Sequence, residues 1–157
     1  MRLSLLLLTV LAGPAAAQAG DSLLLEAPGA RLVVHAADLA PLPHDTMRVR
    51  FHEQPAQLYA GVPLPALLQL VGVRSDSLRG RQLTLRIVIE ASDGYRVVLA
   101  LSDLDPTLGG RRVLVANQVD GQPLPAKEAP YRLLIAGDER PSRWMRQVVA
   151  IRVLDEP

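Results

Sequence analysis

The sequence predicts a β-rich α+β domain with one main helix. Three observations carry that prediction. Several segments alternate apolar and polar residues with period two, the pattern of half-buried strands. Only one stretch, "YAGVPLPALLQLVGV", spaces its apolar residues as a helix does. Between the segments stand turn formers, above all Asp93-Gly94 and Asp120-Gly121.

Taken in order, "RLVVHAADLAPLP" begins with a short apolar strand, Arg31 to His35. At Asp38 a turn or short helical piece starts, and it stops before Pro41 and Pro43. In "TMRVRFHE", Met47, Val49 and Phe51 share one face, and Arg48, Arg50 and His52 the other. The helix follows, with Pro65 in its first turn, Leu64, Leu67, Leu68 and Val71 on one face, and Gly72 at its stop. "RQLTLRIVIEASDGYRVVLAL" reads as a hairpin, with Leu83, Leu85, Ile87 and Ile89 alternating outward and Tyr95, Val97, Leu99 and Leu101 on the return. "SDLDPTLGG" is a single capped helical turn, "RRVLVANQVDGQPL" a strand with a turn, "YRLLIAG" a strand that opens into an arginine-rich loop, and "QVVAIRVLD" the last strand.

The N-terminus reads as a secretory signal peptide over residues 1–17: basic Arg2, an apolar run from Leu3 to Ala12, and Ala15-Ala16-Ala17 before Gln18. That run is too short to span a bilayer, and no Cys follows it for a lipid anchor. The expectation is a periplasmic or secreted protein with no stable membrane anchor, residues 18–157 forming one domain. With no Cys in the chain, packing rather than disulfides must hold it together. The formal net charge is +1, the two signs are interspersed and aromatic residues make up 3%. This balance excludes the electrostatic footprint of a nucleic-acid binder, and it leaves no stacking platform for single strands.

Three places offer chemistry. His44, Asp45, His52 and Glu53, with His35 further off, match no metal-ligand spacing and read as solvated side chains. Asp103 and Asp105 suit a cap and a turn better than acid–base work. No nucleophile, phosphate-loop or dinucleotide motif is present, so no catalytic residue is assigned. The stretch from Leu124 to Gln147 remains. Arg132 stands on its strand, and Arg140, Arg143 and Arg146 surround Trp144, the only Trp of the chain. Arginine presents a rigid fork of donors to phosphate or carboxylate, so this loop is the candidate site for an anion. Surface ion pairs with Asp138 and Glu139 are the alternative.

The order of these pieces resembles the molybdopterin-binding domain of sulfite oxidase-type oxidoreductases. The resemblance rests on the Gly-Val-Pro-Leu helix start (Tyr59 to Leu64), the acidic-Gly-Tyr hairpin (Asp93 to Tyr95), the Asp-Gly-x-Pro-Leu-Pro turn (Asp120 to Pro125) and the Pro-x-Arg strand (Pro130 to Arg132). It covers about Thr46 to Val153. It implies a β-rich, mixed-sheet, barrel-like fold, a molybdenum atom on a pterin dithiolene, one protein thiolate on the metal, and oxygen-atom transfer or a related reduction. Arg146 falls where the family has a pterin-contacting lysine. The thiolate should precede the Gly-Val-Pro-Leu stretch. Here that region reads "TMRVRFHEQPAQL" and the whole chain lacks Cys, so soft thiolate ligation from this chain is impossible. Asp120, Ala129 and Ala136 also depart from the family's Asn, Gly and Pro, and the chain is short for the cofactor.

Three functions stand as expectations. The first is an exported molybdopterin-domain protein without normal molybdenum catalysis. It would bind a pterin or another anionic small molecule through Arg132, Arg143, Arg146 and Lys127, with Trp144 packing a flat ring or the wall. The second is a molybdenum oxidoreductase, or a subunit of one, with a substitute ligand such as His52 or Glu53 or one supplied by a partner. The third is an interaction domain for another exported protein, with no cofactor.

Overall fold

Two five-stranded sheets share one aliphatic core in the computed structural model, which describes residues 20–51 and 53–155. Residues 1–17, read above as a signal peptide, and His52 lie outside the described residues. In chain order the elements are β1 (Leu23–Ala27), β2 (Ala30–Val34), α1 (Ala36–Leu39), β3 (Asp45–Val49), β4 (Gln57–Pro63), α2 (Leu64–Gln69), β5 (Arg86–Ala91), β6 (Arg96–Ala100), β7 (Val113–Val119), β8 (Gln122–Pro123), β9 (Arg132–Ile135) and β10 (Val148–Leu154). The α+β, β-rich reading holds, and α2 is the main helix.

The first sheet runs β2-β1-β10-β5-β6, with β1 and β10 parallel and the other pairs antiparallel. Alternation sends Leu23, Leu25, Ile87, Ile89, Val97 and Leu99 into the core. The opposite face carries a charge ladder across all five strands. Arg31 meets Glu26 at 3.0 Å, Glu26 meets Arg152 at 2.7 Å, Arg152 meets Glu90 at 2.8 Å, and Glu90 meets Arg96 at 3.2 Å. Such exposed pairs stabilise little individually, but they leave the face hydrated without a covering layer.

The second sheet runs β3-β4-β7, and the far edge of β7 is shared by β9 and β8. It is covered on both sides. Val62, Val113, Val115, Leu133 and Ile135 face the shared core. Met47, Val49, Tyr59, Leu114, Ala116 and Leu134 face outward into a second cluster, closed by Leu124, Phe51 and Trp144. Among the described residues no helix covers this outer face. The loops before and after β9 do.

Two strands escaped sequence reading. β1 opens with three consecutive leucines, which mask the alternation that buries Leu23 and Leu25 and leaves Glu26 on the other face. β4 was hidden by its Gly and Pro, which read as the approach to a helix. In fact the strand runs to Pro63, whose φ of −58° turns the chain into α2. Gly61 sits at a bulge opposite β7, where a Cβ would lie 2.2 Å from the Val115 carbonyl oxygen. Only glycine permits that approach. The outgoing hairpin strand also starts later than alternation suggested, because residues 80–84 form a 3-10 turn that leaves Leu83 exposed.

Asp105 ties the loops together from inside. It is fully buried, and its carboxylate accepts the Leu78 N–H at 2.8 Å, the Thr107 N–H at 2.8 Å and the Thr107 hydroxyl at 2.7 Å. These bonds, the one from Leu78 foremost, hold its carboxyl below the usual Asp range. The stability it contributes is therefore complete above the unfolded Asp pKa and is lost as pH falls through the lower folded value. Asp105→Asn should unfold at lower urea than the parent at pH 7, and the gap should narrow below about pH 4. Urea titrations at the two pH values check this.

Candidate functional site

Arg132 opens β9 and pairs in register with Ala116 of β7. Leu133 and Ile135 face the shared core, so alternation drives Arg132 to the outer face of the second sheet. There it is only 7% exposed. A guanidinium cannot stay dry without compensation, and three groups provide it. Arg132 Nη1 donates to Glu128 Oε2 at 2.6 Å. The Phe51 ring lies 4.3 Å from the guanidinium carbon, and the Tyr59 ring 5.4 Å. The Tyr59 hydroxyl donates to the same Glu128 oxygen at 3.2 Å. Burial, more than any charge, pushes the Tyr59 phenol up to about 12, so it stays a donor. Arg132 Nε is buried and has no hydrogen-bond partner among the described residues.

Beside this guanidinium lies a cleft of about 290 Å³, whose walls include Phe51, Gln57, Tyr59, Lys127, Arg132 and Arg146. A second cleft of about 400 Å³ is lined by Asp93, Tyr95, Lys127, Trp144, Arg146 and neighbours. The two meet at Lys127 and Arg146, which line both and are exposed. Gln147, next to Arg146, adopts φ 54°, a left-handed conformation that costs a non-glycine residue about 1 kcal/mol. Surrounding bonds over-determine it: its N–H donates to the Glu128 carbonyl at 3.0 Å, and its own carbonyl accepts the Ser92 N–H at 2.9 Å. Arg146 is thereby presented from a fixed backbone.

Four of the five residues singled out from sequence thus line this pair of clefts, and Arg143 stands outside them. Its Nε and Nη2 both donate to Asp138, with Nε–Oδ2 at 2.9 Å. Asp138 also accepts from Arg111 at 3.2 Å. The Asp138 bond holds Arg143 above its usual range. The sequence had offered this pairing as the alternative, and for Arg143 it is what forms. Trp144 is fixed at both ends: its indole N–H donates to the Ile135 carbonyl at 2.9 Å, and its ring meets Phe51 edge-on at 5.3 Å. Arg140 lines a separate, open depression with Arg50, Glu139, Pro141 and Ser142.

Phe51, Tyr59 and Glu128 were missed as site residues. Phe51 was placed on the right face, and its being the only Phe was the available signal. Glu128 carried none. Of the metal-type residues, His44 Nδ1 bonds the Leu42 carbonyl at 2.8 Å and Asp45 pairs with Arg112 at 2.8 Å; among the described residues, which exclude His52, no group of three or more ligating side chains forms.

Breaking a buried ion pair from one side strands the other charge. Arg132→Met should cost about 3–5 kcal/mol because Glu128 remains buried, and adding Glu128→Met should recover most of that loss. Urea unfolding of the two single variants and the double variant checks the coupling; additive losses would contradict it.

No protein-family model matches this chain, and no curated protein matches it. Among solved structures it is similar to the sulfane dehydrogenase SoxCD from Paracoccus pantotrophus, with a TM-score of 0.64 and 18% identity, over 86% of this chain and 38% of that chain. The chain therefore spans well under half the length of that protein. At this identity the likeness shows a distant relationship of fold, and it agrees with the α+β architecture described above.

Proposed function

We propose that this chain is an exported binding module on a sulfite oxidase-type molybdopterin-domain fold, and that it holds an anionic small molecule, a pterin phosphate being the ligand the fold suggests. The observation that carries this reading is Arg132: a buried guanidinium with one N–H unpartnered among the described residues, beside a cleft whose mouth bears Lys127 and Arg146. An arriving anion would meet the two exposed cations first. Phe51 covers Arg132, so contact with its free N–H would require that ring to turn aside. Trp144 and Tyr95 would wall the flat part of the ligand in the adjoining cleft.

The molybdenum half of the cofactor fits poorly. The chain has no thiol. The segment where the resemblance puts the thiolate offers Phe51, whose ring packs against Tyr59 and Trp144. Glu128, the carboxylate of the cleft, is already bound to Arg132 and Tyr59. The anionic half fits better, since three cations converge on one cleft. Redox chemistry through a ligand of this chain is therefore not part of the proposal.

A second reading is a subunit of a molybdenum oxidoreductase whose metal ligand comes from a partner. It is favoured by the fold shared with a dehydrogenase of which this chain spans 38%. Its mark would be molybdenum near one per chain in the purified protein.

Arg146→Glu separates site from fold. Arg146 is exposed, so the thermal midpoint should not move, while affinity for a pterin monophosphate should fall at least about tenfold, roughly 1.4 kcal/mol. Calorimetric titration of both proteins measures it, and unchanged affinity would remove Arg146 from the site.

A further inference from the structure

Charge is distributed unevenly over this nearly neutral chain. Arg31, Arg74, Arg81, Arg96, Arg111, Arg112, Arg132, Arg143 and Arg152 each face a carboxylate within ion-pair distance. Among the described residues, Arg48, Arg50, Arg79, Lys127, Arg140 and Arg146 have no such partner. Four of these six belong to one region. Lys127 and Arg146 line the mouth of the Arg132 cleft, and Arg50 and Arg140 line the open depression. The regions are joined by sequence and packing: Arg50 precedes Phe51, and the Phe51 ring contacts Trp144 of the loop that also carries Arg140 and Arg146. The exposed carboxylate lining the depression is Glu139.

We infer that this rim, centred on Arg50 and Arg140, is a docking surface for an acidic segment of a protein partner. The depression is wide, about 670 Å³, and open, a shape that suits an extended chain better than an enclosed small molecule. Unpaired arginines are the surface feature that recognises carboxylate-rich segments, because each fork takes a carboxylate bidentately. Pro141 at the depression stiffens the loop that presents Arg140. Nucleic acid is disfavoured by the few ring faces for stacking, since Phe51 and Trp144 are engaged with each other. The inference goes beyond the anion cleft and does not depend on it: Arg50 and Arg140 line no part of that cleft.

The test uses a fluorescein-labelled ten-residue peptide rich in Asp and Glu, its Asn and Gln counterpart, a labelled single-stranded DNA of similar length, and vesicles containing an anionic phospholipid, each titrated against the purified protein. The acidic peptide should bind, weaken steeply as salt rises, and bind at least about tenfold less tightly to the Arg50→Glu/Arg140→Glu double variant. That variant should still bind a pterin monophosphate as the parent does, which separates failure here from failure of the cleft. Three results overturn the inference: the amide peptide binding equally well, the double variant retaining full affinity, or no binding of the acidic peptide. Preference for DNA or vesicles over the acidic peptide overturns it as well, by assigning the rim to another class of partner.

Discussion

A guanidinium buried in the outer face of a sheet is the constraint on which the rest of this structure depends. Alternation along β9 leaves Arg132 no other direction, because its neighbours Leu133 and Ile135 are needed in the core. Once there, it must be paired and kept dry on terms that do not leave it more costly than water. Glu128 supplies the counter-charge, which places the loop from Leu124 to Pro130 over the sheet. Phe51 and Tyr59 supply ring faces, which places the end of β3 and the start of β4. Trp144 braces Phe51 and fixes the loop that carries Arg146. The clefts are what remains between these pieces.

The same arrangement occupies the approach to β4, and the chain has no Cys to offer a soft metal a thiolate there. Here an aromatic cluster occupies that neighbourhood, and the polar groups left in it are engaged with one another. What persists is positive charge on a fixed backbone, with Gln147 held in a strained conformation beside Arg146. Strain of that kind survives where neighbouring bonds over-determine it, and the two that do so here come from different parts of the chain.

Much of the fold was legible because period-two alternation survives wherever one face of a strand is wet or loosely covered, as in β3, β6 and the exposed half of β5. It failed where an apolar run hides the period or the strand is interrupted. β1 opens with three consecutive leucines, and β4 carries the glycine of a backbone contact and the proline of a helix start, both of which imitate loop. For the site, residue chemistry found the cations and the indole, because arginine and tryptophan in one loop are conspicuous. It could not tell Arg143 from Arg146, since only the fold decides which of them Asp138 reaches. Nor could it find Glu128 or Tyr59, whose roles arise from pairings 69 residues apart in the chain.

The most direct measurement is the Arg132 Nε–H signal in a nitrogen-15 NMR spectrum, followed as a pterin monophosphate is added. A saturable shift of that resonance is expected, together with those of Lys127 and Arg146, while the Arg152 signal of the charge ladder stays in place. An Arg132 signal that does not respond at saturating ligand, in a protein that is folded, would contradict the claim that this buried cation is the seat of anion binding.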